Sequence, residues 1–323
     1  MSQNAIKLGV VMDPIADITY KKDTTLTLLW AAEAMGWSLY YLEQEDLYLY
    51  EGRAMGSVRP LKVHRDPQHW YDLGEREAMP LGELDVILMR KDPPVDSHFL
   101  NAVHLLAFAE REGTLVVNPT RALFECNEKL FAQQFAHCIP PTVVSCRDAV
   151  LRAFQAEHGD TIFKPLDGMG GTGIFHIGPD GRNLGAVIEQ LTERGQRQIM
   201  AQRYLPEARE GDKRIILVDG EPVGACLRVP TGVDHRANIH VGARCERSPL
   251  TGRDREICAR IGPDLKNAGQ IFVGIDVIGD KLTEVNVTSP TGIREIANAT
   301  DLNLAEELFD CIETKINQRQ TAA

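Results

Sequence analysis

The chain has 323 residues, 43% of them hydrophobic, which is enough for two or three domains with cores of their own and too apolar for a disordered chain. A net charge of -11, with acidic residues spread along the whole length and no Lys/Arg block, argues against a nucleic-acid or polyanion surface. Basic residues that matter must therefore act locally.

Residues 1–12 carry one lysine and a short apolar run ended by Asp13-Pro14, which is not the design of a secretory signal. No stretch approaches the roughly 18 apolar residues of a membrane span. Seven cysteines, an odd set without a CxxC pair, suit free thiols in a reducing compartment, so a cytoplasmic protein is expected. Residues 5–12 read as a strand and 24–35 as a helix, with Asp23 as N-cap and Gly36 just past the end. Strands follow at 38–42, 86–89 and 115–118, with a helix at 97–111; this alternation is the sequence form of an α/β layer on a largely parallel sheet. The Pro/Gly-punctuated stretch 52–82 reads as a hairpin and a long connection.

The character changes near 119–129. A helix at 128–137, a strand at 142–145 and a helix at 148–158 lead into a strand at 161–165 and a glycine cluster. From about Gln198 the chain is richer in strands, at 198–204, 213–218, 222–229, 271–278 and 282–287, with helices at 254–267 and 304–318 to cover that sheet. No internal repeat or low-complexity segment interrupts it.

The glycine cluster contains a literal G-x-G-x-x-G at Gly168, Gly170 and Gly173, a pattern also found in dinucleotide-binding turns. Such a turn must open a helix, whereas Ile174-Phe175-His176-Ile177 is β-branched and aromatic and predicts a returning strand. A strand, a glycine loop and a strand still suit phosphates, because glycines bring backbone N–H groups close to an anion and let the loop open and close. Lys164, at the end of the incoming strand, adds a point charge for an α or β phosphate. An ordinary hairpin is the plainer alternative, but it rarely needs four glycines in six residues.

Asp276 lies in the strand 271–278, and Glu284-Val285-Asn286 in the next. Residues two apart on a strand share a face, so Glu284 and Asn286 point one way and Val285 points to the core. Hard oxygen donors side by side suit Mg²⁺, with phosphates and water completing the octahedron. A two-residue turn at Gly279-Asp280 would pair Asp276 with Thr283, on the wrong face; a three-residue loop, 279–281, would pair it with Glu284, and the metal reading demands that odd loop.

Taken in order, Lys129, Lys164 with its glycine loop, Met200-Ala201-Gln202-Arg203-Tyr204-Leu205 and Asp276 with Glu284-x-Asn286 resemble the ATP-grasp superfamily. Within it, the bacterial glutathione synthetase family is similar at Val10-Val11-Met12-Asp13-Pro14-Ile15, Met89-Arg90-Lys91-Asp92-Pro93-Pro94, Cys126-Asn127-Glu128-Lys129-Leu130, Gly211-Asp212-Lys213-Arg214 and Glu284-Val285-Asn286-Val287-Thr288-Ser289-Pro290. These matches span nearly the whole chain, and 231–247 departs from the pattern.

The resemblance implies an α/β protein with an α+β C-terminal part: an ATP-grasp fold behind an N-terminal Rossmann-like α/β domain. The units would be 1–124, a lid subdomain at 125–200 with the glycine loop, and a catalytic subdomain at 201–323. The implied reaction joins γ-glutamylcysteine to glycine through an acyl phosphate, giving glutathione, ADP and phosphate. Asp276, Glu284 and Asn286 would hold Mg²⁺ or Mn²⁺. ATP would meet Lys129, Lys164, Gly168, Gly170, Gly171, Gly173, Gln202, Arg203, Tyr204, Leu205 and Asp212, with main chain around 203–205 reading adenine. Arg214 and Arg228 would stabilise the acyl phosphate and the tetrahedral oxyanion, and Asp13, Arg90, Lys91, Ser289 and Thr291 would receive substrate. Residues 230–244, with Arg236 and Arg244, read as a mobile lid that excludes water. No nucleic-acid or membrane partner is expected, and the family suggests a homotetramer. A ligase of the D-alanyl dipeptide or glutamate type, or a non-catalytic ATP-binding module, are the alternatives that share the nucleotide residues.

Overall fold

The computed structural model of the chain describes residues 5–230 and 244–322. The expected lid at 230–244, with Arg236, falls almost wholly outside the described residues.

The N-terminal part runs β1 (Lys7–Val11), α1 (Thr24–Ala34), β2 (Ser38–Leu42), β3 (Leu47–Tyr50), β4 (Arg53–Val63), β5 (Tyr71–Leu73), β6 (Glu77–Pro80), β7 (Val86–Met89), α2 (Ser97–Arg111), β8 (Leu115–Val117) and α3 (Thr120–Glu125). Its sheet has the order β3-β4-β2-β1-β7-β8, with β5 and β6 also paired to β4. The strands β2, β1, β7 and β8 are parallel, and β7 is buried at every position, as a sheet covered on both faces requires. Helix α1 starts where predicted because the Asp23 carboxylate accepts the Leu26 N–H at 2.6 Å.

The middle part comprises β9 (Thr142–Ser145), α4 (Asp148–His158), β10 (Thr161–Pro165), β11 (Phe175–Ile177), α5 (Leu184–Leu191) and β12 (Ile199–Arg203), in an antiparallel sheet of order β11-β10-β12-β9. Phe163, Ile177, Ile188 and Ile199 meet Leu151 of α4 in its core. The helix expected at 128–137 is corrected: a 3-10 turn, Phe131–Gln134, is all that forms. Asn127 Oδ1 accepts the N–H groups of Lys129 and Leu130, and the Glu128 carbonyl accepts the Val285 N–H at 3.0 Å, so bonds to a neighbouring strand override local helix preference.

The C-terminal part runs β13 (Asp212–Val218), β14 (Glu221–Val229), β15 (Arg244–Arg247), α6 (Gly252–Asn267), β16 (Phe272–Ile278), β17 (Lys281–Asn286), α7 (Ile293–Thr300) and α8 (Leu304–Ala322). The strands form an antiparallel sheet of order β15-β14-β13-β16-β17. Alternation sorts its two faces. Ile215, Leu217, Ala225, Val273, Ile275 and Val285 pack with Ile257, Ile261 and Leu265 of α6. Ile216, Val218, Cys226 and Phe272 join a different core, shared with α7, α8 and the N-terminal strands. Helix α8 thus does more than cover this sheet: Trp37 stacks edge-on against its Phe309, with ring centroids 4.9 Å apart, and bonds Glu313. Gly262 lets α6 approach the β13–β14 turn, where any Cβ would stand 2.4 Å from the Gly220 carbonyl oxygen.

The expectation of free thiols throughout is also corrected. Cys226 and Cys245 form a disulfide, because the pairing of β14 with β15 brings their Cα atoms to 5.9 Å. Cys126, Cys138, Cys146, Cys258 and Cys311 are free. Among the described residues no helix is long and apolar enough to cross a membrane.

Candidate active site

The face of the C-terminal sheet that buries Ile216, Val218 and Phe272 at one end becomes polar at the other. Asp212, Arg214, Arg228, Asp276, Glu284 and Asn286 stand there and line a cleft of about 580 Å³. Across the ladder Asp212 faces Arg228, Arg214 faces Asp276, and Asp276 faces Glu284.

That last pairing arises differently from the sequence reading. The turn is the two-residue one, with Ile278 opposite Lys281 and Val277 opposite Leu282; a bulge between Asp276 and Val277 then leaves Thr283 as an extra residue. The Thr283 hydroxyl donates to the Asp276 carbonyl at 3.1 Å, and the shifted register brings Glu284 opposite Asp276. The required pairing holds, but the three-residue loop proposed to produce it is replaced by a bulge.

The side chains on this wall hold one another. Arg214 donates to Asp276 through Nε at 2.6 Å and Nη2 at 3.2 Å, and through Nη1 to the Thr291 carbonyl at 2.8 Å. Arg228 bridges Asp212 and Asp276, the latter at 3.0 Å, and Asn286 Nδ2 donates to Asp276 at 3.3 Å. Burial pushes the Asp276 carboxyl up, yet Arg214 and Arg228 outweigh it and hold the group well below the ordinary carboxylate range. For Asp212 burial wins over Arg228, and with the added repulsion of Asp276 its carboxyl is pushed up to about 6.

The opposite wall is made of backbone and lysines. Strand β10 ends at Lys164-Pro165, and β11 returns antiparallel to it, with Ile162 opposite His176, so the strand–loop–strand reading is correct and no helix follows the glycines. Gly170, Gly171 and Gly173 adopt φ of +62°, +81° and +72°, a region that side chains disfavour. Lys129 donates to the Gly168 carbonyl at 2.7 Å and pairs with Glu284 at 2.8 Å, tying the two walls together. Burial opposes the Lys129 charge, but Glu284 more than offsets it and raises the pKa. Lys164 is different: it is 7% exposed, and its ammonium donates to the Gln202 amide oxygen at 3.5 Å. Burial therefore lowers its pKa. Gln202 also bonds Thr142, while the Arg203 and Tyr204 N–H groups donate to the carbonyls of Pro141 and Asp160. Gln202, Arg203, Tyr204 and Leu205 all line the cleft.

The remaining candidates divide between two places. Ser289 and Thr291 line the main cleft. Asp13, Arg90 and Thr291 line a neighbouring cavity of about 220 Å³. Arg90 is buried there between Thr25 and the Pro290 carbonyl, with Nη1 lacking a partner among the described residues, whereas Lys91 is paired to Asp13 at 2.8 Å. Arg244, expected in the lid, begins β15, is exposed and pairs with Glu246.

Two family models match the chain: prokaryotic glutathione synthetase, N-terminal domain, over residues 6–123, and the ATP-grasp domain of the same family over residues 128–301. The chain belongs to the prokaryotic glutathione synthetase family. Glutathione synthetase of Pseudomonas putida is 54% identical over 316 residues, covering 98% of this chain and 100% of that one. The enzyme of Pseudomonas aeruginosa is likewise 54% identical, with the same coverage of both chains. The crystal structure of the D-cycloserine synthetase DcsG superposes with a TM-score of 0.67 over 95% of this chain and 99% of that one, at 14% identity, which establishes the ATP-grasp fold alone. The protein is accordingly an ATP-dependent ligase of this family.

Within that family frame, Glu128 is a residue the sequence reading overlooked. Its carboxylate accepts the Val287 N–H, the Thr288 N–H and the Thr288 hydroxyl, at 3.0, 3.1 and 2.7 Å. Burial, helped by Glu284, raises its pKa. It thereby fixes Lys129, its chain neighbour, and the 287–288 segment in one piece. The signal available in sequence was a carboxylate beside a phosphate-type lysine, and it did not reveal a partner 160 residues away. Asn118 is similar: it closes four bonds with Ile271, Phe272 and Val287 and pins the N-terminal sheet to the C-terminal one.

Proposed function

We propose that this ligase joins γ-glutamylcysteine to glycine at the expense of ATP, through an acyl phosphate. The observation that carries the reading is the placement of a buried ammonium, Lys164, opposite an arginine–carboxylate lattice across one cleft. A carboxylate is too weak an electrophile for an amine at neutral pH, so a phosphoryl group must reach it first, and that transfer needs alignment and charge neutralisation.

Lys164 and Lys129 receive the polyphosphate, with the backbone N–H groups of Gly168, Gly170, Gly171 and Gly173 closing over it. Adenine lies against the Tyr204 and Leu205 segment. Its edge is read by the Leu205 main chain and Gln202, because the Arg203 and Tyr204 N–H groups are engaged elsewhere. Arg214 and Arg228 stabilise the acyl phosphate and the oxyanion formed when the amine attacks. Asp13, Arg90, Lys91, Ser289 and Thr291 receive the peptide, whose zwitterion is complementary to the charges around the smaller cavity.

The donor set fits a hard divalent ion. Asp276, Glu284 and Asn286 offer oxygens on one sheet face, and Asp212 lines the same cleft with a buried Oδ1 that has no hydrogen-bond partner among the described residues. Mg²⁺ or Mn²⁺ held there would neutralise the charge of the phosphates during transfer. We also infer that the chain divides into units at 1–124, 125–200 and 201–323, and that the protein is a cytoplasmic homotetramer.

The test is to follow phosphate release with ATP, Mg²⁺ and pairs of acceptors, and to identify the product by mass. Release that needs both γ-glutamylcysteine and glycine, with glutathione formed, is expected. Release with D-alanine pairs or free glutamate instead, or ATP binding without turnover, would overturn the proposal.

A further inference from the structure

Far from the cleft in sequence, the hairpin between β4 and β5 gathers two imidazoles and a carboxylate. His64 follows β4, His69 lies in the turn and Asp72 sits in β5. His64 Nε2 stands 2.7 Å from Asp72 Oδ2, and His69 Nε2 stands 2.9 Å from Asp72 Oδ1. The two rings stack with centroids 5.2 Å apart and planes 19° from parallel. We propose that His64, His69 and Asp72 form a binding site for a borderline divalent ion of the zinc type, separate from the ATP-grasp cleft.

The chemistry of the set points to such an ion rather than to Mg²⁺. Imidazole nitrogen suits zinc, nickel and copper, whereas magnesium selects oxygen. One ligand atom from each residue lies within 4.8 Å of the others. Metal bonds of roughly 2.1 Å place tetrahedral ligands about 3.4 Å apart, a contraction that rotation of exposed imidazoles supplies. Two histidines and a carboxylate leave a fourth position for water, and the exposure of His69 and Asp72, 62% and 55%, leaves room for it.

The hairpin is also braced independently of any ion, so the donors do not have to be organised by it. The His64 N–H donates to the Trp70 carbonyl at 2.8 Å, closing the turn. Trp30 Nε1 donates to the His64 carbonyl, and Trp70 Nε1 to the Ile15 carbonyl, both at 3.0 Å, which anchors the loop to the N-terminal core. Asp66 is used inside the turn, accepting the Gln68 N–H. The cation next in sequence is turned away from the donors, with the Arg65 guanidinium over the Trp30 ring at 5.0 Å. Lys62 stands across the ladder from Asp72.

The test is calorimetric titration of the chelator-stripped protein with zinc chloride in excess Mg²⁺, which keeps the cleft occupied. The wild type is expected to take up an equivalent that shifts the imidazole resonances of His64 and His69 among the nine histidines. His69→Ala and Asp72→Ala should each weaken that equivalent by at least about 100-fold, the upper end of the loss caused by removing a mere outer partner. Ligase turnover and the circular dichroism of both variants should match the wild type. Undiminished zinc affinity in both folded variants, or no shift of the two imidazoles in the wild type, would overturn the site.

Discussion

The two walls of the cleft are built on opposite plans. On the sheet wall, every charged group is held by another: Arg214 and Arg228 grip Asp276, and Arg228 also holds Asp212. On the glycine wall, Lys164 is buried with its ammonium 3.5 Å from the Gln202 amide oxygen, and three glycines hold backbone conformations that side chains avoid. The first wall is organised before any substrate arrives, and its electrostatic order is part of the folded state. The second holds an ammonium whose burial outweighs the attraction of Glu284, Asp276 and Asp212. Paired charge and desolvated charge therefore sit on different strands, and mutations on the two walls should part stability from binding.

Arg228→Met attacks the organised wall and should have the largest effect. It leaves Asp212 and Asp276 buried without their bridge, a loss of about 3–5 kcal/mol in urea unfolding. Turnover should fall together with stability, by on the order of 100-fold or more, as expected for loss of an oxyanion donor. If the variant unfolds like the wild type, the wall is not a stability element. Lys164→Met is the counter-experiment. It removes a buried charge that burial disfavours, so the fold should be unchanged or more stable, while ATP affinity weakens by about 1.5–3 kcal/mol, roughly 10- to 150-fold. Equilibrium binding and unfolding of the same variant decide this, and equal losses in both would erase the distinction between the walls.

A third prediction uses the sign of the Asp212 shift. Its folded carboxyl, pushed up to about 6 from an ordinary 3.8, binds protons that the unfolded chain has released between those values. The stability it contributes is fully present below the unfolded pKa and is lost as pH rises through about 6. Relative to Asp212→Asn, the wild type should thus gain in melting temperature on going from pH 7 to pH 5. A difference that is flat, or of the opposite sign, would show that Arg228 and not burial governs Asp212.

The walls also differ in how far the sequence discloses them. Lys164, the glycines and the strand after Gly173 are readable because their message is local: four glycines beside a lysine, then β-branched residues that refuse a helix. Glu284 and Asn286 are readable because a strand has a period of two. What holds them is not readable. The bulge at Thr283 shifts the register by one residue, and turn length in the sequence carries no sign of it. The 128–137 segment has a helical pattern, yet Asn127 and the strand at Val285 take its hydrogen bonds. The second role of α8, binding Trp37 as well as its own sheet, and the Cys226–Cys245 bond likewise depend on long-range pairing. Local chemistry is written in the sequence; the partners that tune it come from topology.

The smallest effect tests the glycine wall itself. Gly173 holds φ at +72°, and an added Cβ would stand 3.3 Å from Pro165 Cδ and Cγ, tighter than an ordinary contact. Gly173→Ala therefore costs about 1–2 kcal/mol from the left-handed backbone, unless the loop abandons that conformation. The loop lies at the rim of its small sheet, beyond the Phe163 core, so the cost is met by rearranging the loop rather than unfolding the domain. Global melting should consequently stay close to wild type, whereas the KM for ATP rises by about tenfold, the equivalent of roughly 1.4 kcal/mol. Gly36→Ala is the matched control: it has a similar φ of +81° at the end of α1, well away from the cleft, and it should lower the melting point without touching ATP. If both alanines behave alike, the glycine loop carries backbone strain but no particular relation to the nucleotide.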